Sequence, residues 1–225
     1  FFEKGARFDD LILLIESGYK YIDQINEIKQ MNNTIKNFGL ELATTLKNTV
    51  GAKDHYTKEH SDRVARYAEM FGKYLELDEE ELETLILAAD FHDIGKIGIS
   101  DAVLLKPGKL TDEEYAKIKL HPIISVNILS SSETFKDAIP AIRHHHERID
   151  GKGYPDGLKG EEIPKLARIL SVCDTFDAIT SVRVYRGQMT IDDALAEIDR
   201  VKGTQLDKEK REKFIRFIKE NQYCL

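Results

Sequence analysis

The stretch Leu82-Glu-Thr-Leu-Ile-Leu-Ala-Ala-Asp-Phe-His-Asp-Ile-Gly-Lys96 predicts an amphipathic helix that ends on polar groups. Leu82, Leu85 and Ala89 recur at helical spacing, and His92 continues their stripe by one more step of three. Neighbouring residues on a helix point about 100° apart, so His92 and Asp93 can both reach one metal ion near the helix end. Asp93 also has two oxygens and can bridge two ions, whereas a neutral histidine offers one nitrogen.

Helical patterns run along the rest of the chain, and strand signals are scarce. We predict an all-α fold with a helical signalling or linker segment at residues 1–45 and a second domain at 46–225. The first segment reads as one long helix to about Asn48, with a seam at heptad spacing formed by Ile28, Met31, Ile35, Phe38 and Leu42. This helix is either a dimerising element joined to an upstream sensor or an amphipathic helix packed on the body.

Capping residues and prolines mark several helix starts in the second domain. We expect helices to begin near Thr57, at Thr111 with Glu114, at Pro122, at Pro164, at Thr190 and at Asp207. Thr134 is expected to cap a helix leading to His146, which Pro140 kinks or restarts. A loop dense in Gly and Pro occupies residues 150–157.

The composition excludes several classes of protein. The chain has 225 residues, of which 32% are charged and 41% hydrophobic, as in a globular protein. No apolar run approaches the ~20 residues of a membrane span, and two cysteines are too few for a disulfide scaffold. A net charge of −7 argues against binding a nucleic-acid polymer, although a local pocket can still hold a small anion. We therefore expect a cytoplasmic protein without a membrane segment.

Histidines and acidic residues lie at the ends of several apolar stripes that are expected to face the core on the predicted helices. His60 shares an apolar face on its helix, His145 and His146 end another, and Asp174 and Asp177 lie in or beside the apolar run 166–176. Any one of these is most simply a satisfied core residue. Several imidazoles and carboxylates buried together are costly without a counter-charge. A pair of metal ions would resolve this, and the absence of thiolate suits iron, manganese, zinc, nickel or cobalt.

Together these residues resemble the HD-GYP phosphodiesterases, a subfamily of the HD metal-dependent phosphohydrolases. The resemblance runs from about Leu46 to the C-terminus. It rests on an ordered set of segments: Asp54-His-Tyr-Thr-Lys-Glu-His60-Ser-Asp-Arg-Val64, His92-Asp-Ile-Gly-Lys96, Leu104-Leu-Lys-Pro-Gly-Lys-Leu110, His121-Pro122, His145-His-Glu-Arg148, Asp150-Gly-Lys-Gly-Tyr-Pro155, Asp174-Thr-Phe-Asp177 and Arg183 with Tyr185-Arg186.

The resemblance implies a helical bundle over residues 46–225 with a metal site in its core. By position, one metal would be held by His60, His92, Asp93 and Asp174, and a second by Asp93, His121, His145 and His146. Members that bind a third metal have a Glu where this chain has Tyr56, so two divalent ions are expected, with iron or manganese preferred over nickel, cobalt or zinc. His55 and His144 have no ligand role. Three departures from the family pattern, Ser100, Ser125 and Val184, are expected to leave the ligands untouched.

The substrate that the resemblance implies is cyclic di-GMP, a bacterial second messenger. A hydroxide between the metals would attack phosphorus and give linear pGpG, and a second cut would give GMP. Lys96 is expected to neutralise a phosphate oxygen, and Asp177 either accepts a hydrogen bond from the nucleophile or orients a ligand imidazole. Further substrate contacts are expected from Arg183, Tyr185 and Arg186. Gly153-Tyr154-Pro155 shapes a loop beside the site, or a surface for a diguanylate cyclase-type partner.

Four alternatives stay open from the sequence. The scaffold could hydrolyse another substrate, such as cyclic GMP-AMP, or it could hold mixed-valence di-iron and activate oxygen. It could also sense cyclic di-GMP without cutting it, or be a purely structural helical domain. Lys96 and the two arginines favour a phosphate substrate over oxygen chemistry, and the complete ligand set argues against a degenerate sensor.

Overall fold

The computed structural model describes residues 8–53, 55–181, 190–200 and 204–221. Within these ranges the chain is helical and forms no strand, which confirms the all-α prediction. The helices are α1 (Phe8–Lys53), α2 (His55–Tyr74), α3 (Glu79–Phe91), α4 (Asp101–Leu104), α5 (Asp112–Ile118), α6 (His121–Leu129), α7 (Ile139–His144), α8 (Lys165–Thr180), α9 (Ile191–Arg200) and α10 (Lys208–Asn221). Short 3-10 segments lie at Ile94–Gly98, Glu133–Phe135 and Gly160–Glu162.

The chain divides into two compact units, Phe1–Thr44 and Thr45–Leu225. In the first unit, helix α1 displays the residues of the predicted heptad seam on its surface, and each of them is between 52% and 65% exposed. No helix of the described ranges has the length and hydropathy that a membrane crossing requires.

Most of the predicted helix starts are confirmed by capping contacts. Thr111 Oγ1 accepts the Glu114 amide while the Glu114 carboxylate accepts the Thr111 amide, which is a complete capping box. Pro122 lies in the first turn of α6, where its missing N–H costs nothing. Thr190 and Asp207 likewise accept main-chain amides at the starts of α9 and α10.

One predicted start is shifted and one is wrong. Helix α2 begins at His55, two residues before Thr57. Thr134 does not cap a helix that reaches His146, because it lies inside the 3-10 segment Glu133–Phe135. A separate helix begins at Ile139 with Pro140 in its first turn, since proline cannot donate an interior helical hydrogen bond. That helix ends at His144, so His145 and His146 stand just beyond it.

In the second unit the helices pack around a buried apolar core. Helix α2 packs against α3 and α8, and α8 also packs against α7, α9 and α10. The rings of Phe71 and Phe176 each meet Phe214 edge to face, with centroids 4.9 and 5.3 Å apart. Helix α6 packs against the 3-10 segment after α3, which brings the start of α6 next to the end of α3.

Candidate metal centre

The packing brings polar residues from five helices to one buried point. His60 lies in α2, His92 and Asp93 follow α3, His121 begins α6, His145 and His146 follow α7, and Asp174 lies in α8. Three sets of these residues have ligand atoms that all lie within 4.8 Å of one another. One set, His92, Asp93 and His145, overlaps the other two, which share no residue and are called the first and second groups. The first group is His60, His92 and Asp174, and the second group is His121, His145 and His146. The structure therefore places all seven predicted ligands together.

Asp93 stands between the two groups. Its Oδ2 lies 3.4 Å from His92 Nε2 and 3.7 Å from His60 Nε2, whereas its Oδ1 lies 3.2 Å from His121 Nε2. The residue is 2% exposed, and its backbone has φ −99° and ψ 2°, a sparsely used conformation that recurs in active sites. One carboxylate thus presents a separate oxygen to each group, which is the arrangement that a bridging ligand needs.

Main-chain carbonyls fix the orientation of three of the imidazoles. The Nδ1 atoms of His92, His121 and His145 lie 2.7–2.8 Å from the carbonyl oxygens of Ala89, Ile118 and Ile142, each three residues earlier. A carbonyl oxygen can only accept, so each Nδ1 carries the proton. Each Nε2 therefore presents its lone pair to the centre, the orientation that metal-ligating histidines obtain from such hydrogen bonds.

The donor set fits divalent transition-metal ions. His92 Nε2 is buried and has no hydrogen-bond partner among the described residues, so its lone pair is unsatisfied within the protein. Such orphaned groups are rare in folded proteins. The surrounding donors are imidazole nitrogens and carboxylate oxygens without thiolate, a set that suits iron, manganese, zinc, cobalt or nickel.

Burial keeps most of the imidazoles in the neutral form that can bind a metal. It lowers the pKa of His121 and of His145, and it lowers the pKa of His146 to about 3. The pKa of His60 shifts in the opposite direction. Burial lowers its pKa, but hydrogen bonds to Asp174 and Asp177 outweigh burial and raise it to about 9.

The buried carboxyl groups remain ionised because positive groups surround them. Burial by itself raises the pKa of Asp93, but the ammonium of Lys96 and the neighbouring imidazoles hold that pKa well below its usual value. Burial likewise raises the pKa of Asp174, and the hydrogen bond from His60 more than reverses this. Ionised carboxylates are the form that binds a cation.

Asp177 lies on the side of His60 that faces away from the two groups. Its Oδ2 is 2.6 Å from His60 Nδ1. Arg63 donates a hydrogen bond to each of its oxygens, from Nε to Oδ1 at 2.6 Å and from Nη2 to Oδ2 at 3.1 Å. Of the two roles expected for Asp177, this contact matches the orientation of an imidazole. Arg63 received no role from the sequence, although it lies one helical turn from His60 and so shares its face.

Lys96 lies at the edge of the centre, with its Nζ 2.6 Å from Asp93 Oδ2. Its side chain is 20% exposed, so the ammonium stands between the buried carboxylate and the surface. The predicted substrate contacts Arg183, Tyr185 and Arg186 lie outside the described residues, as does Val184.

From the sequence, His55, Tyr56 and His144 were expected to hold no metal. The side chains of His55 and Tyr56 are also not described. His144 lies away from both groups and pairs with Asp156 at 2.9 Å.

Ser125 corrects one expectation, because it does contact a ligand. Its Oγ donates to the carbonyl oxygen of His92 at 2.9 Å and accepts the amide of Gly95 at 2.8 Å. The side chain is fully buried in α6, the helix that begins with His121. A Cβ on Gly95 would lie 2.5 Å from the Ser125 nitrogen, so only glycine allows this approach. One hydroxyl thus joins the elements that carry His92 and His121.

The Gly153-Tyr154-Pro155 loop lies against the backbone of the second group. A Cβ on Gly153 would come within 2.6 Å of the His146 carbonyl oxygen. The Tyr154 ring packs on the His146 ring with centroids 4.8 Å apart. Glu147, to which the sequence assigned no role, accepts the amides of Asp156 and Gly157 at 2.7 and 3.0 Å and anchors the loop.

A cavity of about 530 Å³ opens beside the centre. Its lining includes His146 and Asp174 of the centre, together with Tyr115, Lys119 and Lys152. A cavity of this size suits a nucleotide-sized ligand.

An all-helical bundle with two His groups around a shared aspartate defines the class of HD-type metal proteins. The profile of the HD domain family matches residues 44–209, and the chain belongs to this family. The resemblance found in the sequence is confirmed.

Curated relatives match about three quarters of the chain. The cyclic di-GMP phosphodiesterase response regulator RpfG of Xanthomonas campestris is 42% identical over 78% of this chain and 47% of its own length. The 3′3′-cGAMP-specific phosphodiesterase 3 of Vibrio cholerae is 39% identical over 75% of this chain and 36% of its own length. The chain therefore spans less than half the length of these relatives.

Among solved structures, Bd1817, an HDG"Y"P protein from Bdellovibrio bacteriovorus, shares the fold. Its TM-score is 0.59 at 19% identity, over 83% of this chain and 63% of that one.

Proposed function

We propose that the second unit is the catalytic domain of a metal-dependent phosphodiesterase that hydrolyses cyclic di-GMP to linear pGpG, with GMP as the product of a second cut. The observation that carries the proposal is Asp93, whose two oxygens face two separate groups of buried imidazoles. The names of relatives such as RpfG support cyclic di-GMP as the substrate.

Two divalent ions are proposed, with Asp93 shared between them. One would be held by the first group and the other by the second group, with iron or manganese preferred over nickel, cobalt or zinc. Such a pair supplies Lewis-acid activation of the phosphate and of an attacking water. The protein contributes neutral imidazoles that are already oriented and a buried carboxylate between them.

The remaining residues are given supporting roles. Lys96 is placed to balance charge on Asp93 and on a bound phosphate, because its ammonium lies at the mouth of the centre. Asp177 is a positioning residue that holds His60 and is itself held by Arg63. Arg183, Tyr185 and Arg186 stay proposals from the sequence as further substrate contacts.

The test is hydrolysis by protein purified without oxygen and loaded with manganese. The wild type should convert cyclic di-GMP to pGpG anaerobically, which an oxygen-activating di-iron protein would not do. Asp93→Ala should lose bound metal and turnover together. Lys96→Ala should keep bound metal and lose most hydrolysis, and loss of metal instead would make Lys96 a structural residue.

A second candidate substrate is 3′3′-cGAMP. It is favoured by the name of the Vibrio cholerae relative, whose identity to this chain is close to that of RpfG. Turnover of the two cyclic dinucleotides, measured side by side on one preparation, decides between them. Tight binding of cyclic di-GMP without hydrolysis of either compound would favour the sensor alternative.

The first unit is proposed to form a homodimer through α1. The exposed seam residues recur at heptad spacing, as in a two-stranded coiled coil. We expect Ile35→Asp to convert a dimer into a monomer in light scattering, whereas a wild type that is already monomeric would contradict the proposal. An upstream sensor or receiver domain, a diguanylate cyclase-type partner at the Gly153-Tyr154-Pro155 loop and a place in the bacterial cytoplasm are parts of the same proposal.

A further inference from the structure

The cavity beside the metal centre is larger than a single phosphate requires. Besides His146 and Asp174 of the centre, its lining includes Tyr115, Lys119 and Lys152, which we call the outer wall. None of these three residues is among the candidate metal ligands. The outer wall is therefore free to contact a part of the ligand that lies away from the reacting phosphate.

The two ammonium groups of the outer wall are not held in ion pairs within the part of the chain that the structure describes. Lys119 and Lys152 form no ion pair with a described carboxylate, although other lysines of this unit do. Lys106 lies 2.6 Å from Glu114, and Lys165 lies 2.7 Å from Glu81. The cavity lining also carries the carboxylates of Glu147 and Asp174, and Lys152 interacts electrostatically with Asp150. The two ammonium groups, which no ion pair holds, remain able to contact an anionic ligand.

Arg148 lines the same cavity but adds little free charge. Its guanidinium binds both oxygens of Asp150 at 3.0 and 2.7 Å. This pair neutralises the arginine, so the two lysines remain as the positive groups available to a ligand.

An aromatic ring accompanies these lysines. Tyr115 is 47% exposed, and the ammonium of Lys119 lies 5.2 Å from the centroid of its ring. An exposed tyrosine ring beside a cation offers a nucleobase a stacking surface, and base stacking on aromatic side chains is tolerant of sequence. A phosphate contact and a stacking surface thus lie together.

We propose that the outer wall is the subsite for the half of the cyclic dinucleotide that is not being cut. Lys119 and Lys152 hold its phosphate, and Tyr115 stacks on its base. This inference rests on the proposed function, and it names residues that select a dinucleotide over a smaller phosphodiester.

The experiment compares two substrates on the manganese-loaded chain. Cyclic di-GMP has a second nucleotide for the outer wall to contact, whereas bis(p-nitrophenyl) phosphate has none. For the double variant Lys119→Ala with Lys152→Ala, we expect the ratio of kcat/KM for the two substrates to shift against cyclic di-GMP by roughly 10- to 100-fold, since a hydrogen bond to a charged group contributes about tenfold. The loss should lie mainly in KM.

Two further variants sharpen the comparison. Lys117→Ala removes an exposed lysine of the same helix that does not line the cavity, and it should leave the ratio within about twofold of the wild type, as surface substitutions usually do. Tyr115→Leu should shift the ratio against cyclic di-GMP, and Tyr115→Phe, which keeps the ring, should restore it.

A binding measurement separates this inference from the proposed function. Calorimetric titration of cyclic di-GMP in the presence of a chelator, where no turnover occurs, should show weaker binding by the double lysine variant and wild-type binding by Lys117→Ala. If the wild type binds cyclic di-GMP without hydrolysing it, and the double lysine variant binds it more weakly, the proposed function fails while the subsite stands. If the wild type hydrolyses cyclic di-GMP and the double variant keeps its substrate ratio, or loses both substrates equally, the subsite is overturned while the proposed function stands. A wild type that neither binds nor hydrolyses the dinucleotide overturns both.

Discussion

Replacing Ser125 by alanine should weaken the contact between the elements that carry His92 and His121. Its buried hydroxyl bonds the Gly95 amide at 2.8 Å and the His92 carbonyl at 2.9 Å. Alanine leaves the amide without this acceptor, which costs about 1–3 kcal/mol, and also removes a donor from the carbonyl. We expect the free energy of unfolding to fall by about 2–3 kcal/mol. For a domain of this size the corresponding fall in Tm is roughly 5–10 °C.

The assay is thermal and urea unfolding of Ser125→Ala in chelator, followed by titration with manganese. His92 and His121 lie on the two elements that the hydroxyl joins, so we expect the manganese affinity to fall by about tenfold, the lower end of the effect of losing an outer hydrogen bond. Ser130→Ala is the matched control, because Ser130 caps the same helix but is exposed to solvent. It should change the unfolding free energy by less than about 0.5 kcal/mol.

The result that would refute this reasoning is a Ser125→Ala variant that matches Ser130→Ala in both measurements. Loss of stability with unchanged manganese affinity would show that the hydroxyl stabilises the fold without positioning the ligands. The two readouts therefore separate a packing role from a positioning role.

Other contacts of the centre give three further predictions. Gly95→Ala should abolish manganese binding in calorimetry, because the added Cβ would overlap the main chain of α6. Arg63→Met should lower manganese affinity by about tenfold, since Asp177 loses its guanidinium partner, and double substitution with Asp177→Asn should add little if the two act as one unit. Glu147→Ala should speed hydrogen exchange of the amides at 156–157, which lose their acceptor, and unchanged exchange would show that the loop is held by other contacts.

Local sequence patterns marked several of the candidate metal ligands, whereas His121 and the division of the ligands between two ions came from the family resemblance alone. His92, His121 and His145 each lie near a helix end and bind a carbonyl three residues earlier in the same segment. A helical stripe that ends on histidine encodes both the position and the orientation of the ring. The period of the stripe is visible in one segment of chain, without knowledge of what that segment packs against.

The contacts that join different helices could not be predicted from the periodicity of a single segment. Ser125 meets Gly95 across 30 positions and His92 across 33, and Arg63 meets Asp177 across 114. No periodicity links such positions, and the sequence around a serine in an apolar helix does not indicate which neighbour the serine will bind. The helix restart at Pro140 was predicted only as one of two outcomes, because proline also occurs at kinks.

The buried imidazoles of the centre are a stronger reason to expect a metal than its buried carboxylates. Each buried carboxylate already has a positive or hydrogen-bonding partner from the protein, since Asp93 meets Lys96, Asp177 meets Arg63, and Asp174 meets His60. The cost of burying acids therefore does not by itself require a metal. The imidazoles do require an explanation, because burial favours their neutral form and main-chain carbonyls turn their Nε2 lone pairs toward one point. Lone pairs directed at one another repel unless an electron-pair acceptor lies between them, and a divalent cation bound beside the shared carboxylate is the acceptor that this donor set favours.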